Sequence, residues 1–277
     1  HVRHLCRDVE NAIELAPWME TAERVAVFGS LRLAELFDNM PVEDFQQEYE
    51  CSWVDESESW ITWDEIKRNQ ETAQAGLLWH RHAKGVDAAL TLIDEVAAAC
   101  AAGTIEGALA GGMDVGRKHD LTELQFVGRG SDGRLPVRLS VSLSRTPFDD
   151  QQAVVTRAVT QLPITQFLID DTGLGMQIAE TLHRTHGNRV QGVSFTNANK
   201  ELWAVEAKVQ FQRGRVPIPA DRDLSYQIHS IKKLTTAAKN VTYDSGRSEG
   251  HHADKFWALA LAIWAAKSRA LTGQLFY

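Results

Sequence analysis

Three aspartates stand where an element ends or begins. Asp170 closes the apolar run Ile164 to Ile169 and is followed by Asp171-Thr172-Gly173-Leu174-Gly175. Asp114 lies in Gly111-Gly112-Met113-Asp114-Val115-Gly116, and Asp254 opens the apolar stretch Lys255-Phe256-Trp257-Ala258-Leu259-Ala260-Leu261-Ala262. Each has a plainer use when taken alone. An Asp in a glycine-rich segment is ordinary turn chemistry, and an Asp at a helix start caps the helix or answers its dipole. As a set they match the needs of Mg²⁺ or Mn²⁺, which prefer carboxylate oxygen and water. Two such ions about 3.5–4 Å apart can clamp the attacking water and the leaving oxygen of a phosphodiester. Carboxylates packed together without metal repel, and some take up protons. Asp120, six residues after Asp114, would return beside it across a hairpin as an auxiliary acid. Within the doublet, Asp170 is expected at the metal and Asp171 in the turn or as a helix cap.

Other patterns carry less. His251 and His252 adjoin Asp254, but no matching Cys or His cluster completes a zinc site. Gly111-x4-Gly116-Arg117 mimics the spacing of a phosphate-binding loop, yet Arg replaces its Lys, Lys118 follows, and no Gly-Lys dipeptide occurs anywhere. The chain therefore has no recognisable ATP site. Cys6, Cys51 and Cys100 are odd in number and far apart, as expected of reduced thiols.

The elements that must hold the aspartates can be read from periodicity and punctuation. Helical patterning covers Arg32 to Met40, Ile61 to Asn69 and Val86 to Ala102, the last stopped by Gly103. Phe45 to Asp55 leads from a helix toward a short strand. From about 105 strands take over: Ala108 to Val115, Thr122 to Gly128 as its hairpin partner, and Leu135 to Leu143. Pro147 opens a helix to about Leu162. Strand 164–170, helix 174–186, strand 189–195 and helix 198–212 follow. Pro217 and Pro219 break the chain, and a helix is expected from Asp221 to Lys233. An extended piece around Val241 to Tyr243 precedes a last helix, Ala253 to Leu271. This order predicts a mixed α/β sheet with helices on both faces over 105–277, preceded by a mostly helical region, 1–104.

The chain has 277 residues and a net charge of −8. That charge is unevenly spread. In residues 1–100 acids outnumber bases by more than two to one, whereas residues 181–247 hold 11 Lys and Arg against 5 acids. The second region is compatible with a phosphate-binding face or with a solvated helix surface. No apolar run approaches the roughly 20 residues needed to cross a bilayer. No signal-peptide pattern opens the chain, and its first residue is His1 rather than Met, as expected of a trimmed fragment.

Gly111–Thr122, Ile169–Gly175, Phe195-Thr196-Asn197-Ala198-Asn199-Lys200, Val216-Pro217-Ile218-Pro219 and Ser245–Ala262 together resemble the C-terminal nuclease domain of the phage terminase large subunit, nearest in character to Mu-like phages and prophages. Phe45-Gln46-Gln47-Glu48-Tyr49 resembles the segment joining ATPase to nuclease in that group. The resemblance spans about 45–271 and lies in the order of the motifs. It implies an RNase H-like fold, two Mg²⁺ or Mn²⁺ ions, and cutting of concatemeric double-stranded viral DNA during packaging in the bacterial host cytoplasm. Asp114, Asp170 and Asp254 match the catalytic acids, Asp120 a nearby acid, and Lys200 a basic residue of the same turn. Residues 1–104 become a linker to an ATPase domain missing from this chain; the terminase small subunit and portal become partners, and no membrane is involved. Arg213, Arg215, Lys232, Lys233, Lys239 and Arg247 become candidates for sequence-neutral phosphate contact.

Two other readings stand beside this one. Another RNase H-like enzyme, a resolvase or transposase core, would use the same acids, although the long acidic N-terminal region suits a compact resolvase poorly. A non-catalytic docking module would use that acidic face and Trp53, Trp60 and Trp63, for which buried core is the plainer expectation.

Overall fold

The structure is a computed structural model and describes residues 19–50, 59–75, 78–116, 121–235, 241–245 and 253–272. In chain order the helices are α1 Thr21–Phe28, α2 Leu31–Asp38, α3 Val42–Glu48, α4 Trp63–Ala75, α5 Val86–Ala101, α6 Phe148–Gln161, α7 Gly175–His186, α8 Asn197–Gln212, α9 Arg222–Ser230 and α10 Asp254–Thr272. The strands are β1 Arg81–Lys84, β2 Leu109–Asp114, β3 Leu121–Gly128, β4 Val137–Ser144, β5 Ile164–Asp170, β6 Val190–Val193, β7 Ile231–Thr235 and β8 Val241–Ser245.

β1 to β6 form one mixed sheet in the order β1-β4-β3-β2-β5-β6. β2, β3 and β4 are an antiparallel meander, while β1 joins β4, and β5 and β6 join β2, in parallel. Period-two alternation sends side chains to opposite faces. Met113, Leu124, Phe126, Leu139, Val141, Phe167 and Ile169 pack under α5, α6 and α7. Ala110, Val127 and Leu168 pack under α4, α8, α9 and α10. The expected mixed sheet with helices on both faces is what the chain forms, preceded by the short helices α1 to α3. These three share a small core of Val25, Leu33, Phe37 and Phe45. They are tied to α8 through Glu43, whose carboxylate meets Lys208 at 3.0 Å.

Two elements and one tryptophan depart from the sequence reading. β1 was not expected: Arg-His-Ala-Lys has no apolar alternation, and only Ala83 is deeply buried. It enters the sheet by pairing with β4. The helix expected to reach Lys233 ends at Ser230, because Ile231–Thr235 pairs antiparallel with Val241–Ser245 as a separate hairpin. Tertiary pairing there overrides a helical pattern that continues through the lysines. Trp60 is core, donating its indole N–H to the Ala204 carbonyl, but Trp63 is 43% exposed and stacks on His229. Trp53 lies outside the described residues, as does the strand expected before Asp55.

α10 is apolar nearly all round, as a helix buried in a core must be. It lies on the sheet at a position that only glycine permits. A Cβ on Gly112 would stand 2.2 Å from the Ala258 carbonyl oxygen and 2.6 Å from the Ala262 nitrogen. On the opposite face of β2, a Cβ on Gly111 would stand 2.3 Å from the Phe167 ring. Gly112→Ala should therefore push α10 off the sheet and lower stability by about 1–3 kcal/mol or more, read as a drop in the midpoint of thermal or denaturant unfolding. An unchanged midpoint would mean that α10 does not sit this close.

Candidate metal centre

Asp114 is the last residue of β2 and faces the α10 side, two residues on from Gly112. β2 and β5 are parallel, with Gly112 opposite Leu168 and Met113 opposite Ile169. The next step of that register sets the end of β2 beside Asp170. Asp254 begins α10 one turn before Ala258, the residue that rests on Gly112. Strand end, neighbouring strand end and helix start thus converge on Asp114.

The electrostatics agree with this geometry. Asp114 is held well above the usual carboxylate range, first by burial, then by the charges of Asp254 and Asp170. Burial also raises Asp170, opposed by hydrogen bonds from Thr172, whose backbone N–H meets Oδ1 at 2.9 Å. Among the described residues, neither Asp114 nor Asp170 makes an ion pair within 4.0 Å. Lys200 is a basic group that acts on both, lowering each. It follows the N-cap Thr196 in the first turn of α8. Its ammonium lies 4.8 Å from the centre of the Trp257 ring and 5.8 Å from that of Phe195.

Asp171 turns the other way. It accepts a hydrogen bond from Ser194 at 2.8 Å and packs against Gly192. It also borders a groove with Met176, Ala179, Glu180, His183 and Gln191, on the α7 side of the sheet. It does not cap α7, whose N-cap position is Leu174 with no side-chain cap bond. Helix and turn are instead closed by Gly175, whose Cβ would stand 1.9 Å from the Asp170 carbonyl oxygen.

Sequence reasoning missed Glu123. It pairs with Asp114 across β2 and β3, is fully buried, and is pushed up to about 8, chiefly by burial. Ser142 donates to its Oε2 at 2.8 Å, and Oε1 has no hydrogen-bond partner. The alternation Thr122-Glu123-Leu124-Gln125-Phe126 reads as polar residues facing water, but helices cover that face. Lys255 and its partners Asp221 and Asp223, described below, were missed as well.

Several basic candidates are engaged elsewhere. Arg213 lies 3.6 Å over the Phe37 ring and donates to the Phe37 carbonyl, and burial lowers its pKa. It ties α2 to the end of α8, so its side chain is engaged within the protein, which the sequence reading did not anticipate. Arg215 meets Asp38 at 3.5 Å but stays partly exposed. Lys232 and Lys233 lie on β7, the second 5.7 Å from the Trp60 ring centre. Asp120, Lys239, Arg247, His251 and His252 lie outside the described residues.

The donor set fits hard divalent cations: carboxylate oxygens, with no soft ligand among them. Among the described residues, no three His, Cys, Asp or Glu are gathered closely enough to ligate a single ion. The charges of Asp170 and Asp254 both act on Asp114.

Residues 111–266 match the family of the terminase RNaseH-like domain. The chain belongs to that family. Its mixed sheet is accordingly the RNase H-like sheet of a terminase. Among solved structures it is similar to the large terminase nuclease from thermophilic phage G20c with bound magnesium, at 20% identity, covering 56% of this chain and 79% of that one with a TM-score of 0.49. It is also similar to the HK97 bacteriophage large terminase, at 13% identity over 93% of this chain and 53% of that one, with a TM-score of 0.49. The g2p nuclease domain from bacteriophage SPP1 with bound Mn is 11% identical, covering 58% and 86%, with a TM-score of 0.41. No curated protein sequence matches the chain.

The raised acids give the metal-free protein a distinctive pH dependence. An acid with a raised folded-state pKa binds its proton more tightly in the folded chain, so folding is favoured at low pH and loses that advantage as pH rises. His80, lowered to about 4 by burial, opposes this only below its ordinary value of 6.5. With chelator present, stability should therefore fall as pH rises from 6.5 to about 8, the upper limit set by Glu123. Glu123→Gln should flatten the slope of the unfolding midpoint against pH. A midpoint rising over that window would contradict the assignment.

Proposed function

We propose that this chain is a metal-dependent DNA endonuclease, the nuclease part of a phage terminase large subunit, cutting concatemeric double-stranded viral DNA with little sequence preference. The observation that carries this reading is Asp114, buried at a strand end beneath the charges of Asp254 and Asp170. Such a cluster is costly in a folded chain unless cations occupy it. Two Mg²⁺ or Mn²⁺ ions, when bound, would supply that positive charge and the Lewis acidity for phosphodiester hydrolysis. Of the similar phage nuclease structures, that of G20c has bound magnesium and that of SPP1 bound Mn.

The residues divide the work. Asp114, Asp170 and Asp254 would hold the ions through their carboxylate oxygens, Asp114 lying under the charges of the other two. Asp120 is kept as an auxiliary acid. Lys200, fixed over Trp257, contacts the phosphate nearest the acids. Arg215, Lys232 and Lys233, with Lys239 and Arg247, hold flanking phosphates. Such contacts place DNA without reading its sequence. Among the described residues no helix is long and apolar enough to cross a membrane. The proposed setting is the bacterial host cytoplasm, with residues 1–104 linking to an ATPase domain, and with terminase small subunit and portal as partners. β1 and α5 come from the linker side of that division yet belong to the sheet and its second core.

Purified protein with Mn²⁺ should nick and linearise plasmid DNA. Asp114→Ala, Asp170→Ala and Asp254→Ala should each slow cutting by roughly a hundredfold or more. Intact plasmid, or cutting indifferent to Asp114→Ala, would end the nuclease reading.

A further inference from the structure

Asp254 sits in the first turn of a helix, where no sheet ladder fixes its position. Its neighbour Lys255 is only 4% exposed. The Lys255 ammonium meets Asp223 Oδ2 at 2.6 Å and Asp221 Oδ2 at 3.6 Å. The Lys255 backbone N–H donates to Gln227 Oε1 at 2.8 Å. All three partners belong to α9 or to its N-cap. Asp221 is itself immobilised: its Oδ1 accepts the backbone N–H groups of Asp223 at 2.8 Å and Leu224 at 3.1 Å. On its other side Asp221 faces His82 of β1 at 3.9 Å.

Stability alone does not explain a lysine here. Phe256, Trp257 and Ala258 are buried directly after it, and an apolar residue would pack among them. A buried ion pair contributes little net stability compared with a well-packed apolar pair, and its best-attested use is to fix register. Register matters at this point because successive helix residues differ by about 100° in direction. A small rotation of the first turn would turn Asp254 away from Asp114, while the Gly112 contact one turn later would hold the rest of α10 in place.

We propose that Lys255 is a positioning residue: clamped to Asp221 and Asp223, it sets the rotation of the first turn of α10 and so presents Asp254 to Asp114. This rests on the metal-site reading above, and its test can fail separately from that reading. Mn²⁺ binding is titrated by calorimetry in the whole chain, and hydrogen exchange of the amides over 254–258 is followed in the metal-free protein. Lys255→Met should weaken Mn²⁺ binding by about tenfold, the usual cost of removing an outer support of a metal ligand. It should also speed exchange over 254–258. In cutting assays it should raise the Mn²⁺ concentration needed, with the rate at saturating Mn²⁺ largely kept. Lys255→Arg should keep most of the wild-type affinity. Asp223, whose side chain is 57% exposed, offers a gentler variant, and Asp223→Asn should move affinity and exchange the same way if Lys255→Met does not fold. Wild-type Mn²⁺ affinity in the folded variants would overturn the proposal, even with a lower unfolding midpoint, because Lys255 would then be an anchor only. If the wild-type chain binds no Mn²⁺, the metal reading fails; unchanged exchange over 254–258 in the variants would overturn the clamp independently.

Discussion

The backbone of α10 rests directly on β2, and the site depends on that contact. At Gly112 the separation leaves no room for a side chain, since even a Cβ would meet Ala258 and Ala262. The contact fixes two distances at once. Asp114 lies two residues further along the strand, and Asp254 one turn back along the helix. Because the start of the helix lies at the end of the strand, both carboxylates are carried to the same end of the sheet, in its middle strands. Gly111, pressed against Phe167 on the far face, lets the second helical layer close equally tightly. A two-glycine strand is a poor strand former, so packing on both faces must hold β2 in place.

That packing supports an arrangement that is unfavourable on its own. Burial, Asp254 and Asp170 all disfavour the ionised form of Asp114, and Glu123 adds another buried acid across the same rung. Around this acidic row the chain distributes cations that stay at a distance. Lys200 is held by aromatic rings on one side, and Lys255 by Asp221 and Asp223 on the other. Among the described residues, neither ammonium forms an ion pair with Asp114 or Asp170. The two sheet faces are correspondingly unequal. The side beneath α5, α6 and α7 is almost wholly apolar, and the polar groups gather beneath α9 and α10.

Much of the sheet was legible in the sequence because its strands end in sharp signals. Ile164 to Asp170 ends in such a stop, and outside the sheet the helical pattern of Val86 to Ala102 ends as clearly at Gly103. Hydropathy misled where tertiary contacts decided. β1 has too few apolar residues to announce itself and is recruited by β4. Ile231–Thr235 has a helical prelude but pairs with β8. Glu123 and Gln125 alternate like a solvent-facing strand and are buried by helices from far along the chain. Lys255 looked like one more polar residue at a helix start, since its partners Asp221, Asp223 and Gln227 lie on another element well back in the sequence. The doublet Asp170-Asp171 could be divided by strand parity alone, and the structure shows the two side chains on opposite faces. Of the two uses expected for Asp171, turn or helix cap, the cap is not made, and its carboxylate accepts from Ser194. Arg213 stood among the basic residues by charge, but its surroundings turn it inward toward Phe37.

The central claim is that Asp114 joins Asp170 and Asp254 in holding divalent cations. A crystal soaked in Mn²⁺ and measured at a wavelength where manganese scatters anomalously tests it most directly. The account predicts anomalous peaks within coordination distance of Asp114, with Asp170 and Asp254 supplying the remaining protein oxygens. Peaks that avoid Asp114, or that fall in the groove of Asp171, Glu180 and His183 on the opposite face, would contradict it.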